Sequence, residues 1–437
     1  MSFRSFIEKL DSEGKLVRVK EKVSPRLEAA GVLKALDGKS VLFENVDGSE
    51  FQVAGNVFST KQLAADYFHC KPRDLIGKML RAIEHPSKPE TVERAPCQEV
   101  VEKNVDLSKL PILFHCAKDG GPYVSSGVVF ARDSKLGQNA SFHRGMVIGR
   151  NKFALRILPR HLQEFLNRNG GEINVAMCVG LGVNALLAGA TSVGLGVDEA
   201  AIANSLEPLK MVKAKTVDVL VPADAEFVLE GRIIKETHSE GPFVDLTETY
   251  DVVREQPVFE VRTITHRKNA VWHALLPGAL EHKLLMGMPR EPTIFKEVNK
   301  VCKCLDVSIT PGGCSWLHAV VQIEKRSEDD GRKAIEAAFN GHKSLKQAII
   351  VDKDINILNP LDVEWVVATR FQADKDLVVK PKQTGSSLDP SSEPKTNLTC
   401  KWGLDATKPL VVKEGKDFSK AEFPKVDLKK FGLAGGV

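Results

Sequence analysis

The sequence predicts a mixed α/β (α+β) fold in three parts, and three observations carry that expectation. A length of 437 residues exceeds what one core of ordinary size holds, so two or three domains are expected. Residues 106–275 are dominated by β-branched runs bounded by turn residues, with only one or two helical patterns between them. From about Gly278 onward helical and strand patterns alternate, as in an α/β unit built on a crossover. The expected parts are 1–105, 106–277 and 278–437.

Taken in order, MSFRSFIEKLDSEGKL reads as a short amphipathic helix. It is charged within four residues and lacks the apolar core of a secretory signal. Gln62–Phe68 and Arg73–Ile83 read as helices, and Val41–Phe43 and Phe51–Val57 as strands. Pro111, Gly120, Gly121 and Pro122 mark the change to the second part. There the strand candidates are 126–131, 154–157, 217–221, 226–234 and 258–265, forming an antiparallel sheet or barrel. Val175 to Val197 carries no charge and is long enough to span a bilayer. Its glycines at 180, 182, 189, 194 and 196 instead break it into a strand, a turn, a short helix and a loop of buried core, so no membrane partner is expected. In the third part Val320–Ile323 and Ala348–Val351 read as buried strands around a helix at Gly331–Asn340. Gln383–Thr396 (QTGSSLDPSSEPKT) has no apolar period and reads as a long loop.

Composition narrows the function. Basic and acidic residues number 61 and 57, a balance that gives no argument for a nucleic-acid partner. The tail lysines Lys413, Lys416, Lys420, Lys425, Lys429 and Lys430 alternate with Glu414, Asp417, Glu422 and Asp427, as on a solvated face. None of the eight cysteines forms a C-x-x-C pair, which speaks against a zinc ribbon or a thioredoxin-like site. Scattered thiols suit a reducing cytoplasm.

Three constellations could carry chemistry. Gly180-Leu181-Gly182-Val183-Asn184-Ala185 matches G-x-G-x-x-A after an apolar run, the fingerprint of an NAD-dependent oxidoreductase, although Asp198 and Glu199 follow somewhat early for the ribose. A tight structural turn is the favoured reading of it. Glu240-Gly241-Pro242-Phe243-Val244-Asp245 holds two acids on one rigid turn; acids so placed can divide into a charged and a protonated member. Alone, such a loop is more often a surface turn. Asn139, with Arg144 close by, then His161 and Glu199, supplies a mostly hard ligand set suited to Mg²⁺ or Mn²⁺. Spacings of this size are uninformative by themselves.

In order and together, these stretches resemble the UbiD-type decarboxylases, which use prenylated FMN. The resemblance covers nearly the whole chain. It rests on Asp106–Pro111 with Asp119-Gly120-Gly121, Asn139–Arg144 (NASFHR), Ile148–Lys152 with Arg156, and Pro222–Gly231 leading into Glu240–Phe243. Val351–Asn356, Ala368–Arg370 and Lys401–Thr407 complete it. It implies an N-terminal α/β domain, a central split β-barrel that binds the flavin, and a C-terminal α/β domain that assembles homodimers or higher homo-oligomers. It implies Mn²⁺ on Asn139, His161 and Glu199, bridging to the flavin phosphate. Phe142, His143, Arg144, Arg156, Ile157, Leu158 and Arg160 would line the flavin. Ala190, Thr191, Ser192 and Val193 would contact flavin or a bound K⁺, and Lys401 would reach the phosphate or the isoalloxazine region. Arg144, Glu240 and Asp245 would be the catalytic network: Arg144 and Glu240 as the charged pair, Asp245 as the acid that protonates the product. A carboxyl serves as such a donor at neutral pH only if burial or like charge favours its protonated form.

The chain departs from the family at Val244 and Glu248, where glycine is common. Thr310–Val321 resembles the archaeal branch, which implies trans-anhydromevalonate 5-phosphate as the unsaturated acid and isopentenyl phosphate as product. An aromatic acid of the polyprenyl-hydroxybenzoate type is the alternative. A flavin prenyltransferase is implied as supplier of the cofactor.

Overall fold

A computed structural model describes residues 1–412, 417–421, 423–424 and 426–431. Lys413, Glu414, Lys416, Glu422 and Lys425 of the tail, and the side chain of Lys429, lie outside the described residues.

The chain opens on the expected helix, Phe3–Ser12. Ser2 caps it, and Phe3, Phe6, Ile7 and Leu10 fall on one buried face at helical spacing. Each such side chain contributes about 2 kcal/mol by leaving water. Arg4, on the other side, grips the fully buried Glu226 through both carboxylate oxygens and so ties the helix to the central sheet. The first sheet runs Leu16–Val19, Ser40–Phe43, Gln52–Gly55 and then Val271–His273, a strand from far along the chain.

The central sheet has nine strands, every neighbouring pair antiparallel. Its path is Tyr123–Val124, Gly145–Gly149, Lys152–Leu155, Arg254–His266, Phe227–Glu240, Ile173–Val179, Val128–Asp133 and Gly137–Phe142, with Val100–Glu102 joined to Arg254–His266. Among the described residues the two end strands do not pair with each other, so the expected barrel is not closed by hydrogen bonds. One physical reason lies at the Gly137–Phe142 edge: the Ala140 amide donates to the carboxylate of Glu199 at 2.9 Å rather than to another strand.

The uncharged stretch divides as its glycines predict, into strand Ile173–Val179, a turn, and helix Val183–Ala190. No helix among the described residues is long and apolar enough to cross a membrane. The same geometry removes the dinucleotide reading. Ile173–Val179 is antiparallel to both neighbours, whereas that fingerprint requires a parallel β-α-β unit. Gly182 is needed because a Cβ there would overlap the Tyr67 hydroxyl, which is 3.1 Å from Asn184. The glycines serve packing.

The third sheet of consequence runs Lys303–Ile309, His318–Glu324, Gln347–Asp352, Leu398–Asp405 and Leu377–Thr384. Its three inner strands are parallel, and helix Asp330–Gly341 forms the expected crossover. The Ser/Pro-rich loop links the last two, antiparallel, strands. It is anchored where Trp316 donates to Ser386 at 3.0 Å.

Candidate active site

The long strand Phe227–Glu240 ends on Glu240, which is completely buried. The chain then turns through Gly241, at φ +103°, and Pro242, passes the two-residue strand Phe243–Val244, and returns on Tyr250–Asp251. Asp119-Gly120-Gly121 lies against this turn: the Gly120 amide donates to the Pro242 carbonyl at 2.8 Å, and a Cβ at Gly120 would collide with the Gly241 carbonyl. From the opposite side, between strands Gly137–Phe142 and Gly145–Gly149, comes Arg144.

Arg144 meets three carboxylates. It donates to Glu240 through Nε at 2.8 Å and Nη2 at 3.1 Å, to Asp245 through Nη1 at 2.6 Å, and to Asp251 through Nη2 at 2.9 Å. Its guanidinium also lies 4.5 Å from the ring centre of Phe243. Burial alone would ease the proton off Arg144, but the three acids hold its pKa above the ordinary value. Asp251 is shared with Arg254 at 2.6 Å; although burial works the other way, Arg254 and Arg144 keep it below the usual carboxylate range. Tyr123 donates to Glu240 at 3.0 Å, and burial with that neighbour raises its pKa. The structure therefore brings Arg144, Glu240 and Asp245 together and adds Asp251 and Tyr123. Those two were missed, because their place depends on strand pairing; the register of Phe243 opposite Asp251 is the signal that could have found the acid.

The second group also converges. Asn139 Nδ2 is 2.9 Å from Glu199 Oε1 and 3.5 Å from His161 Nδ1, and His161 Nδ1 is 3.6 Å from the same carboxylate. Glu199 is buried with no cationic side chain of lysine or arginine within ion-pair distance among the described residues, and burial pushes it up to about 7. A buried carboxylate, an imidazole and an amide around one point fit a hard divalent cation. Turning the Asn139 amide over would present its oxygen to that point. Beside it, His143 is buried, bridges Ser141 Oγ at 2.9 Å and the Arg156 carbonyl at 2.8 Å, and is pushed down to about 4 by burial. Phe142 is half-buried and Ile157 buried, while Leu158 and Arg160 face solvent. Arg160 reaches Ser192 at 3.3 Å, so the two expected flavin stretches face one another; Val193 is half-buried next to Ser192. Lys401 is buried, donates to the Lys343 carbonyl, and burial lowers its pKa.

Family models match the chain in three consecutive pieces, described as the N-terminal, Rift-related and C-terminal domains of 3-octaprenyl-4-hydroxybenzoate carboxy-lyase, over residues 7–83, 90–280 and 283–406. The chain belongs to the UbiD family of carboxy-lyases. This UbiD-family chain is 41% identical over 419 residues to an anhydromevalonate phosphate decarboxylase of Methanothermobacter thermautotrophicus, covering 94% of this chain and 98% of the relative. It is 42% identical over 410 residues to the protein of that name from Methanocaldococcus jannaschii, covering 92% and 96%. Among solved structures it is similar to the UbiD-class enzyme HmfF from Pelotomaculum thermopropionicum in complex with FMN, with a TM-score of 0.95, 38% identity, and coverage of 99% and 100%. An evolved dimeric form of HmfF in complex with prFMN gives a TM-score of 0.90 at 36% identity, covering 98% of this chain and 99% of that one.

Proposed function

We propose that this protein decarboxylates trans-anhydromevalonate 5-phosphate to isopentenyl phosphate and CO₂ with prenylated FMN. The observation that carries the reading is Arg144 held by three carboxylates, of which Asp245 is the most accessible to a ligand, at 17% side-chain exposure. The relatives near 40% identity that carry the anhydromevalonate phosphate name support the substrate.

Asn139, His161 and Glu199 would hold Mn²⁺ against the flavin phosphate, and Lys401 and Arg160 would add positive charge there. His143, Phe142, Arg156, Ile157 and Leu158 would line the ring system. Ser192 and Val193 would supply polar and backbone contacts. A bound K⁺ would draw on the Ala190 to Val193 stretch. The bound flavin supplies the electron sink for loss of CO₂. Everything else falls to side chains. Glu240, fixed by Tyr123, holds Arg144 in a defined orientation, and Arg144 would orient the incoming carboxylate through the one Nη1 hydrogen that the three acids leave free. Asp245 would pass a proton taken from solvent to the carbon that has lost CO₂. The division into domains 1–105, 106–277 and 278–437, a homo-oligomeric assembly and a cytoplasmic location belong to the same proposal; a change of family domain between 280 and 283 supports the second boundary.

The test is co-expression with a flavin prenyltransferase, then CO₂ release from anhydromevalonate phosphate measured beside aromatic acids. Turnover of the phosphorylated acid with Mn²⁺ present is expected. Failure to take up flavin, or preference for aromatic acids, would overturn the assignment.

A further inference from the structure

Two arginines are buried among the described residues, Arg290 and Arg370. Arg370 is neutralised by Asp352 at 3.0 Å and Asp354 at 2.7 Å. Arg290 has no carboxylate within ion-pair distance among the described residues. It is nine-tenths buried, its Nη2 donates to the Ala190 carbonyl at 3.1 Å, its Nε has no partner, and its guanidinium lies 5.3 Å from the ring centre of Trp316. Its neighbours supply no relief: Arg160 repels it, and His342, which bonds the Trp316 carbonyl at 3.0 Å, is neutral and offers no counter-charge. A buried guanidinium with a free donor and no counter-charge is unfavourable unless an anion arrives.

Position indicates which anion. Helix Leu280–Gly287 runs directly into the 3₁₀ turn Met288–Arg290. Its first turn carries His282, whose Nδ1 accepts from the Gly278 amide at 3.1 Å, and a Cβ at Gly278 would stand 3.2 Å from the Asp245 carbonyl oxygen. One rigid segment thus reaches from the proton donor to Arg290. Eight residues at helical and 3₁₀ rise set the backbones of His282 and Arg290 roughly 12–14 Å apart along the segment. That distance suits a short acid with its carboxylate at one end and a second anionic group at the other, plus a hydrogen bond at each end.

We propose that Arg290 anchors the phosphate of the phosphorylated unsaturated acid, at the end opposite the carboxylate that leaves. This rests on the substrate reading above. The other phosphate within reach is that of the flavin, and the test separates the two.

The flavin-loaded wild type, R290Q and R290K are titrated calorimetrically with isopentenyl phosphate, and flavin per chain is read by absorbance. R290Q is expected to keep its flavin and to bind isopentenyl phosphate at least about 30-fold more weakly. R290K, which keeps charge but not the fork, should fall between. Ligand-free R290Q should melt no lower than wild type, since it loses an uncompensated buried charge. Equal affinity in wild type and R290Q, or no affinity in wild type, overturns the proposal. Loss of flavin from R290Q also overturns it and gives Arg290 to the flavin phosphate. Should wild type bind isopentenyl phosphate yet release no CO₂ from anhydromevalonate phosphate, the substrate reading alone fails, and the affinity ratio still decides the anchor.

Discussion

Replacing Asp245 with asparagine separates the proton-donor role from every structural role of that side chain. The carboxylate accepts from Arg144 Nη1 at 2.6 Å and from the Leu246 amide at 2.6 Å. An asparagine oxygen can keep one of them. Arg144 retains its three bonds to Glu240 and Asp251, so no buried charge is stranded. The structural loss is one charge-assisted hydrogen bond on a partly exposed group, about 1 kcal/mol after solvent screening. The chemical loss is far larger. A positioned acid contributes about 10²–10⁴ in rate, which at 1.4 kcal/mol per tenfold is about 3–5 kcal/mol of barrier. D245N should therefore fold, melt within a few degrees of wild type and carry a full complement of flavin. Its turnover of anhydromevalonate phosphate should fall at least a hundredfold. The assay pairs flavin absorbance with CO₂ release and with deuterium incorporation into product made in D₂O. Turnover within threefold of wild type, with one deuterium per product, would refute the role of Asp245.

Three further outcomes are expected. E199Q removes a buried acid without changing its shape, so the flavin-free protein should be no less stable while manganese content and flavin retention both drop; metal analysis showing unchanged occupancy would remove Glu199 as a ligand. G120A places a Cβ against the Gly241 carbonyl, a backbone atom that cannot step aside cheaply. It should shift the Glu240–Asp245 turn and cut activity more than tenfold, and a crystal structure with the turn unmoved and activity intact would refute the packing argument. Burial pushes His115 and His342 down to about 3, helped by His282 and Arg290 respectively. Both are neutral when folded, whereas the unfolded chain binds protons below about 6.5. Their contribution is thus complete above pH 6.5 and is lost on acidification, by about 2 kcal/mol per histidine at pH 5. Urea midpoints that do not move between pH 7 and pH 5 would contradict this.

What the sequence made legible was local. The spacing of Phe3, Phe6, Ile7 and Leu10 suffices for the first helix, because one apolar stripe must be buried whatever lies opposite. The glycines of 175–197 mark their own breaks. The strand expected at 226–234 proved to continue to Glu240. Its outer half, Lys235 to Ser239, is exposed, so no buried face imposes alternation and no pattern announces a strand. Yet that unannounced extension carries the catalytic candidate Glu240 to its place. Glu248, one departure from the family, sits at φ +60°, a conformation in which glycine is unstrained, and is held there by Lys283. Arg290 had no local signal at all. Being uncompensated is a property of what surrounds a side chain in space, and Met-Pro-Arg-Glu-Pro says nothing of that.

The two arginines then differ in a way the proposed reaction requires. Arg144 faces a carboxylate that must leave as CO₂. Were it an uncompensated cation, it would hold that carboxylate most tightly before reaction and raise the barrier to losing it, since binding that favours the ground state accelerates nothing. Three resident acids temper its attraction while leaving its orientation fixed. The phosphate, by contrast, stays unchanged from substrate to product. An uncompensated Arg290 can grip it equally throughout, which places the chain without opposing the chemistry. On this reading the number of carboxylates around each arginine, three against none, follows from which end of the substrate is consumed.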